Sequence, residues 1–547
     1  MFSLPSPVRM WERVVIALAV LPFLLRIMLV WVDFEQLLEI PGLLENDCFY
    51  YMNIAANVAQ GRGWTADGET PTNGFHALHQ VLCTGCSFVF GGGSAGALRA
   101  LLSIQVAVSF VCMLLLAQIC RRSCGRSECL LASFLFAWWL PLLKFGNNGL
   151  ETVLQLLCLL LVFSSFMRFN DSFTPRDGRI LGFLAGASVL ARVDMLALVA
   201  GLVLTLVIRG RRTPQHARAF STALRWTAAS AVCAVALAAS LNLATGGSVL
   251  PDGGIAAVVG APLQPGAISG PAGNVLTAVQ AVFAVCLSHP FAQLLAPFGL
   301  PDPLAVFLAG SLVLLSLIGG LSFRVPSPGG FHYFILLGAF YGIALLSFYV
   351  GVLPAVWAFD RYLLPLGAVL LVVAVPAIRR LLGLVVDRAR VAGGLIVLGL
   401  GIWYASPFLA RWADWTAERA DVATAGEDAG FSAGGVCSYH DLGMWMRGHL
   451  DPRARVAMWE GAQVAFLAPQ RILHLEGAVN RPALHAWKGG RLEEYLRAQA
   501  VDYVVDTEPR MALIRSLLRH PEETLVLLES SPCGPRGLPL SLYRLRR

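Results

Sequence analysis

The sequence predicts a polytopic α-helical membrane protein, and three observations carry that reading. Of 547 residues, 56% are hydrophobic and only 14% charged; a soluble globular protein carries roughly 25% charged residues, so a water-facing surface cannot be covered here. Several apolar runs reach or approach the ~20 residues that cross a bilayer as a helix. Between those runs the charges gather in short arginine-rich breaks. The same composition excludes a disordered chain, a collagen and a small disulfide scaffold. A transmembrane barrel would show short alternating segments, and these runs do not alternate.

The arginine breaks orient the chain. Arg9/Arg13, Arg121/Arg122/Arg126, Arg168/Arg176/Arg179, Arg209/Arg211/Arg212/Arg218, Arg324 and Arg379/Arg380/Arg388/Arg390 mark the cytoplasmic side by the positive-inside bias. Helices are expected near 11–32, 97–119, 128–145, 150–167, 180–192, 195–209, 226–243, 303–323, 331–350, 362–380 and 392–409. That makes eleven crossings that begin inside and end outside, with 180–192 short enough to be re-entrant. The first run, Trp11 to Val32, is long and bulky with no small-residue cleavage site after it, so a retained helix is expected there. All but two of the 41 basic residues are arginine, and the net charge of +7, spread over membrane loops, orients the protein rather than binding nucleic acid. The twelve cysteines lie mostly in apolar helices as small hydrophobes. Cys83 and Cys86 have CxxC spacing but no second pair to complete a metal site.

Three outer regions are large. The first, 33–90, is acidic at its start and holds an amphipathic stretch at 47–60 and an apolar one at 76–90. The second, 244–300, is rich in Gly and Pro, and a loop of that length is usually functional or mobile. From 411 to the C-terminus the composition is that of a soluble domain. Strand-like runs at Val456–Trp459, Arg471–Leu475, Asp502–Asp506 and Thr524–Glu529 alternate there with helical stretches at 490–499 and 509–519. This pattern predicts a small extracytoplasmic α/β domain.

Carboxylates at the membrane–water boundary lead the chemical candidates. Glu45-Asn46-Asp47 precedes Phe49-Tyr50-Tyr51, and Asp47 suits a general base, a metal ligand or the cap of the helix that begins there. Pro71-Thr72-Asn73-Gly74-Phe75-His76 joins a turn to two polar side chains, and a plain turn with a surface histidine is the simpler account. Asn147-Asn148-Gly149-Leu150-Glu151 follows Lys144 between two helices; Asn-Gly is turn chemistry, and Glu151 is either a cap or a functional ionisable group at the boundary. Arg192 and Asp194 share an outer turn and can simply pair. Asp360-Arg361-Tyr362 opens the helix at 362–380, where an outward arginine fork suits a phosphate headgroup, against an Asp–Arg pair or snorkelling. All fall on one face. Carboxylates with arginines there suggest an enzyme that takes an anionic lipid-linked substrate.

The same residues carry a resemblance. Glu45 to Tyr51, Asn53 to Asn57, Gly61-Arg62-Gly63-Trp64-Thr65 and Pro71 to His76 resemble the C-type membrane glycosyltransferases, a set that includes protein O-mannosyltransferases, aminoarabinose transferases and arabinofuranosyltransferases. Asn148 to Thr152, Ala191 to Asp194, Arg361 to Pro365, Leu475 to Asn480, Tyr495-Leu496 and Asp502 to Val505 follow the same pattern, so the resemblance spans most of the chain. It implies a C-type glycosyltransferase fold of about 11 transmembrane helices in 1–410, with the extracytoplasmic α/β domain in 411–547. It also implies an inverting transfer of a hexosyl or pentosyl group from a polyprenyl-phosphate donor to a cell-envelope glycan, lipid or protein. The reaction would run at the outer face of a bacterial cytoplasmic (inner) membrane.

In such enzymes a carboxylate of the first outer loop is the general base, a role that falls here on Asp47 with Glu45 in support. Arg361, Lys144 and Arg192 would hold the donor phosphate, and Tyr50, Asn73, His76, Glu151, Asp194, Glu460 and Asn480 would contact substrate. The chain departs from the family at Asn46, where relatives carry the first of two adjacent acids. That loss weakens any claim for a divalent cation (Mg or Mn), which needs several oxygen ligands, and no cofactor is expected. Trp459-Glu460-Gly461 and Glu476 to Asn480 would help bind acceptor, with turn and strand-end chemistry as the plain alternative, and Cys437 could pair with Cys533 in an oxidising compartment. Two other classes stay open: a transporter or flippase for a lipid-linked or anionic substrate, and a non-catalytic envelope assembly protein.

Overall fold

A computed structural model describes residues 7–39, 43–123, 126–254, 256, 331–351, 359–374, 436, 438–532 and 538–546. The helices expected at 303–323 and 392–409, most of the loop at 244–300, the boundary near 410 and both Cys437 and Cys533 lie outside the described residues.

Among the described residues the first twelve α-helices are α1 (Pro7–Val30), α2 (Phe34–Glu39), α3 (Asn46–Ala59), α4 (Ala77–Phe90), α5 (Ala95–Ser123), α6 (Arg126–Ala137), α7 (Leu140–Phe145), α8 (Thr152–Ser172), α9 (Pro175–Ala191), α10 (Leu196–Arg212), α11 (Ala217–Gly246) and α12 (Phe331–Gly351). Six of the described helices are long and apolar enough to cross a membrane, those at Glu12–Val30, Ala95–Arg122, Thr152–Ser172, Val193–Arg212, Pro214–Gly246 and His332–Tyr349. Leu24, Met28, Leu114, Phe183, Val232, Leu237 and Ile343 stay exposed on this bundle, as a surface in contact with lipid requires. The chain is a multi-pass helical membrane protein with a C-terminal domain.

The helix expected at 226–243 begins nine residues earlier, at Ala217, and two other boundaries differ from expectation for local reasons. The run at 128–145 is two helices, because Pro141 has no N–H to give residue 137 and its ring crowds that carbonyl; it sits instead in the first turn of α7. The short helix at 180–192 begins five residues earlier, at Pro175. There the Thr174 hydroxyl accepts from the Asp177 N–H at 3.2 Å, a cap whose polar first turn hides it from an apolar count. Gly182 and Gly186 then bring α9 so close to α11 that a Cβ on either would lie within 2.6 Å of Thr227 or Ser230 atoms, the small-residue packing of membrane helices.

The basic helix ends share one end of the bundle. Arg126 pairs with Glu12 at 2.6 Å, and Arg168 with Asp177 at 2.9 Å. Arg209 stacks over Tyr333 at 4.4 Å, which brings the end of α10 to the start of α12. The other end of the bundle carries the starts of α8 and α10 and the ends of α9 and α12.

The C-terminal domain is a five-stranded sheet, ordered β2-β1-β3-β5-β4, from β1 (Arg455–Met458), β2 (Arg471–His474), β3 (Tyr503–Thr507), β4 (Leu525–Ser531) and β5 (Leu540–Leu545). The first three pair in parallel and β5 runs antiparallel to β3 and β4. Their alternate side chains fill two separate cores. One forms around Trp459, Leu473, Leu496 and Val504, the other around Val456, Met458, Ile472 and Leu542.

This domain sits on α3 and on the segment between α3 and α4. Gln463 donates its backbone N–H to Asn46 Oδ1 at 3.1 Å, Asn53 Nδ2 donates to the Ala462 carbonyl at 2.9 Å, and Phe49 meets Phe466 at 5.4 Å between ring centroids. Arg471 of β2 pairs with the buried Asp67 at 2.9 Å and with Glu69. The Ala478 carbonyl oxygen lies 1.9 Å from where a Cβ on Gly74 would be. Only glycine admits that approach.

Candidate active site

Asp47 lies in the first turn of α3 and does not cap it; the N-cap is Glu45, whose side chain makes no cap bond. The Asp47 side chain is 49% exposed, and its Oδ2 accepts from Arg361 Nη1 at 3.1 Å. Arg361 belongs to a short helix at Phe359–Tyr362, and its Nη2 donates to the Tyr362 hydroxyl at 3.2 Å. Its Nε is buried and has no hydrogen-bond partner among the described residues. The helix carrying Lys144 packs against this one; Lys144 itself is exposed, with its ammonium 4.8 Å above the Phe145 ring. Glu45 makes no ion pair among the described residues.

A second cluster lies behind this pair, and it is buried. Glu151 occupies the N-cap of α8 without capping it. Its carboxylate accepts instead from the Tyr51 hydroxyl at 3.1 Å and from Arg192, with His76 Nε2 at 3.6 Å. Arg192 also binds Asp194, Nε to Oδ2 at 3.1 Å, donates to the Tyr349 hydroxyl at 2.9 Å and stacks 4.5 Å above Tyr362. Tyr349 donates to Asp194 and stacks on Tyr362 at 4.7 Å. The expected Arg192–Asp194 pair is therefore one edge of a larger network, which meets the Asp47–Arg361 pair at Tyr362. Burial opposes the ionised form of Glu151, but the adjoining His76, Arg192 and Arg361 hold it well below the usual carboxylate range. Burial pushes the His76 imidazole down to about 4, so at neutral pH it is an uncharged neighbour of Glu151.

Two expected contact residues turn inward. Asn73 spends its amide on the backbone, donating to the carbonyls of Ser248 and Leu250 at 3.2 Å and accepting from the Asp252 N–H at 2.8 Å. It ties the segment between α3 and α4 to the residues just past the end of α11. Asn480 caps the helix Arg481–Lys488 by accepting from Ala483 at 3.2 Å, and it donates to Tyr495 at 2.9 Å. Both are buried, so both do turn chemistry here. Asn147 likewise accepts from the buried Arg26 at 3.1 Å.

The C-terminal domain brings further residues to this face, among them Glu460 and Glu476 from the stretches expected to help bind acceptor. The buried Tyr50 meets the His474 ring edge-on at 4.9 Å. Glu476, two residues past His474, lies beside the Tyr50 hydroxyl and close enough to Asp47 to feel its charge. Glu460 pairs with Arg510, and the buried Asp506 holds the Trp459 N–H at 2.7 Å. A glutamate in the conspicuous run Leu475 to Asn480 was the available signal for Glu476. Among the described residues no group of three His, Cys, Asp or Glu side chains could hold a metal ion, and Asp47 faces a guanidinium where a cation would need further oxygens.

Solved structures share this architecture. ArnT from Cupriavidus metallidurans, solved bound to undecaprenyl phosphate, is similar over 98% of both chains, with a TM-score of 0.56 at 10% sequence identity. The oligosaccharyltransferase of Archaeoglobus fulgidus, solved in complex with zinc and sulfate, matches 94% of this chain and 71% of its own, with a TM-score of 0.51 at 16% identity. The chain thus resembles the C-type membrane glycosyltransferases in fold over most of its length. No family model matches it, and no curated protein matches it in sequence.

Proposed function

We propose that this chain is an inverting glycosyltransferase that moves a sugar from a polyprenyl-phosphate donor to a cell-envelope acceptor on the extracytoplasmic face. The observation that carries the reading is the Asp47–Arg361 pair. A half-exposed carboxylate and a guanidinium lie 3.1 Å apart, at the helix ends remote from the arginine-rich ones, on a fold shared with a protein solved with undecaprenyl phosphate. Both halves of the chemistry are then side by side. Arg361 turns its fork from Asp47 to the arriving phosphate and stabilises the charge that grows on it as the sugar leaves. Asp47, released, takes the proton of the acceptor hydroxyl while that oxygen attacks the anomeric carbon from the opposite side. The leaving group is already a phosphate, so no strong general acid is required. The Glu151–Arg192–Asp194 network fixes Tyr362, and with it the guanidinium stacked at 5.0 Å on that ring.

A transfer assay in nanodiscs with a panel of polyprenyl-phosphate sugars tests this, with wild type and Asp47→Asn side by side. Donor consumption that collapses in the variant supports the reading. Turnover that survives in Asp47→Asn removes Asp47 as base. No turnover with any donor from folded protein returns the chain to transport or envelope assembly.

A further inference from the structure

One ionisable side chain at the outer end of α3 has no part in the chemistry above. Glu476 stands on the loop after β2, partly buried. It lies beside the hydroxyl of Tyr50, which is one turn beyond Asp47 on the same face of α3. Its placement is determined from several directions. Gly477 adopts φ +90°, and a Cβ there would sit 2.6 Å from Leu484; Ala478 fills the space above Gly74; Asn480 is locked to Ala483 and Tyr495. His474 is pinned edge-on to Tyr50. A carboxyl held this way keeps its geometry without losing much freedom on binding. Asn46, next to Asp47, docks the very domain that carries Glu476.

We propose that Glu476 is the second carboxyl of the site, an acceptor-binding group that holds the attacking hydroxyl against Asp47. This rests on the transferase reading above and deepens it. The groups that face Glu476 are Asp47 and Tyr50 from α3, and Glu460 and Arg510 from the C-terminal domain. Burial and the charges of Asp47 and Glu460 outweigh Tyr50 and Arg510 and push its carboxyl up to about 8. At neutral pH it is an acid with an O–H to donate to the acceptor oxygen, while Asp47 accepts the proton from that same oxygen. The acceptor oxygen then bonds to the anomeric carbon, the carbon–oxygen bond to phosphate breaks with its electron pair leaving on polyprenyl phosphate, and the proton ends on Asp47. Glu476 keeps its own proton throughout. Ionised, it sets a second negative charge against the attacking oxygen, and turnover falls.

The test is the pH–rate profile of the full chain in nanodiscs, with acceptor varied, for wild type, Glu476→Gln and Glu476→Ala. Infrared difference spectra of the same proteins read the protonated carboxyl directly. Wild-type transfer is expected to fall about tenfold per pH unit above pH 8. Glu476→Gln keeps a neutral donor and loses the alkaline limb. Glu476→Ala raises the acceptor KM by roughly tenfold, the worth of one good hydrogen bond. The carboxyl band titrates in wild type and is missing from Glu476→Gln. A limb that persists in Glu476→Gln, or an unchanged acceptor KM in Glu476→Ala, overturns the role of Glu476 while leaving the transferase reading intact. A wild type that transfers from no donor overturns both, whatever the spectra give. A missing band sinks the inference alone.

Discussion

Arg192→Met is the sharpest probe of the buried network. Arg192 is the shared cation of Glu151 and Asp194, and the three are 5%, 3% and 6% exposed. Methionine fills much of the same volume but leaves two carboxylates in the interior. Of the other basic neighbours of Glu151, His76 is uncharged at neutral pH and Arg361 is already paired with Asp47. Removing one partner of a buried ion pair costs about 3–5 kcal/mol, mostly from the charge left behind. An unfolding entropy of roughly 2.1 cal/mol/K per residue gives about 1.1 kcal/mol/K for a chain of this length, so the loss lowers Tm by about 3–4 °C. Helices that stay helical in detergent reduce that entropy and enlarge the shift. Thermal melts in one detergent would compare wild type, Arg192→Met, Arg192→Met/Glu151→Gln and the triple variant with Asp194→Asn, and stability should return stepwise as each carboxylate is neutralised. Glu151 is held below its ordinary range, so its contribution is present above the unfolded pKa and lost only as pH falls through the folded one. The deficit of Arg192→Met is therefore level between pH 6 and 8. A single variant within about 1 °C of wild type, or a triple variant no better than the single, would refute the reasoning.

Other outcomes follow from the same geometry. Asp47→Asn is expected to leave Tm near wild type, since the side chain is half-exposed, while transfer falls by about 10²–10⁴. Arg361→Met should cost about 10²–10³ in turnover, and Arg361→Lys should recover only part, because a point charge cannot reproduce the fork; full recovery would mean that charge alone suffices. Gly74→Ala forces the Ala478 backbone away and should cost at least about 1–3 kcal/mol, seen as faster proteolytic release of the C-terminal domain with the helix content retained. Glu476 carries a raised folded pKa, so its stabilising share is complete below about 4.3 and lost as pH rises toward 8. Wild-type Tm should decline across that window more steeply than that of Glu476→Gln.

The membrane helices were legible because their apolar runs need no partner to declare themselves: α1, α5, α8, α10 and α12 begin and end within a few residues of expectation. In two places one residue decided the outcome, Pro141 splitting a helix and Thr174 starting another. Four strands could be read, but β5 could not, since the sheet position of Leu540–Leu545 is set in part by pairing with β3, more than thirty residues back in the chain. In the site, Asp47 and Arg361 each stood out locally, yet their 3.1 Å contact spans 314 positions and no spacing rule expresses it. Asn73 and Asn480 show the converse. Asparagine at a turn is what backbone capping uses, and a buried amide that saturates carbonyls reads in sequence like one that awaits a ligand. Glu476 was visible only as part of an unusual run, because its neighbour at Asp47 is set by how the last domain docks.

That docking also sets a schedule. Asn46, Asn53 and Gly74 receive partners that lie some four hundred residues later in the chain. At 5–20 residues per second of synthesis, a newly inserted chain waits on the order of 20–80 s before those partners emerge. Through that interval the outer end of α3 lies uncovered, its buried-to-be Tyr50 and Phe49 facing solvent or lipid. A chain cut short before β2 keeps Asp47 and Arg361 but has no roof over them. Truncation thus yields an inserted protein with that end of the bundle unfinished rather than a smaller working one, and leaves an exposed aromatic surface by which quality control recognises it.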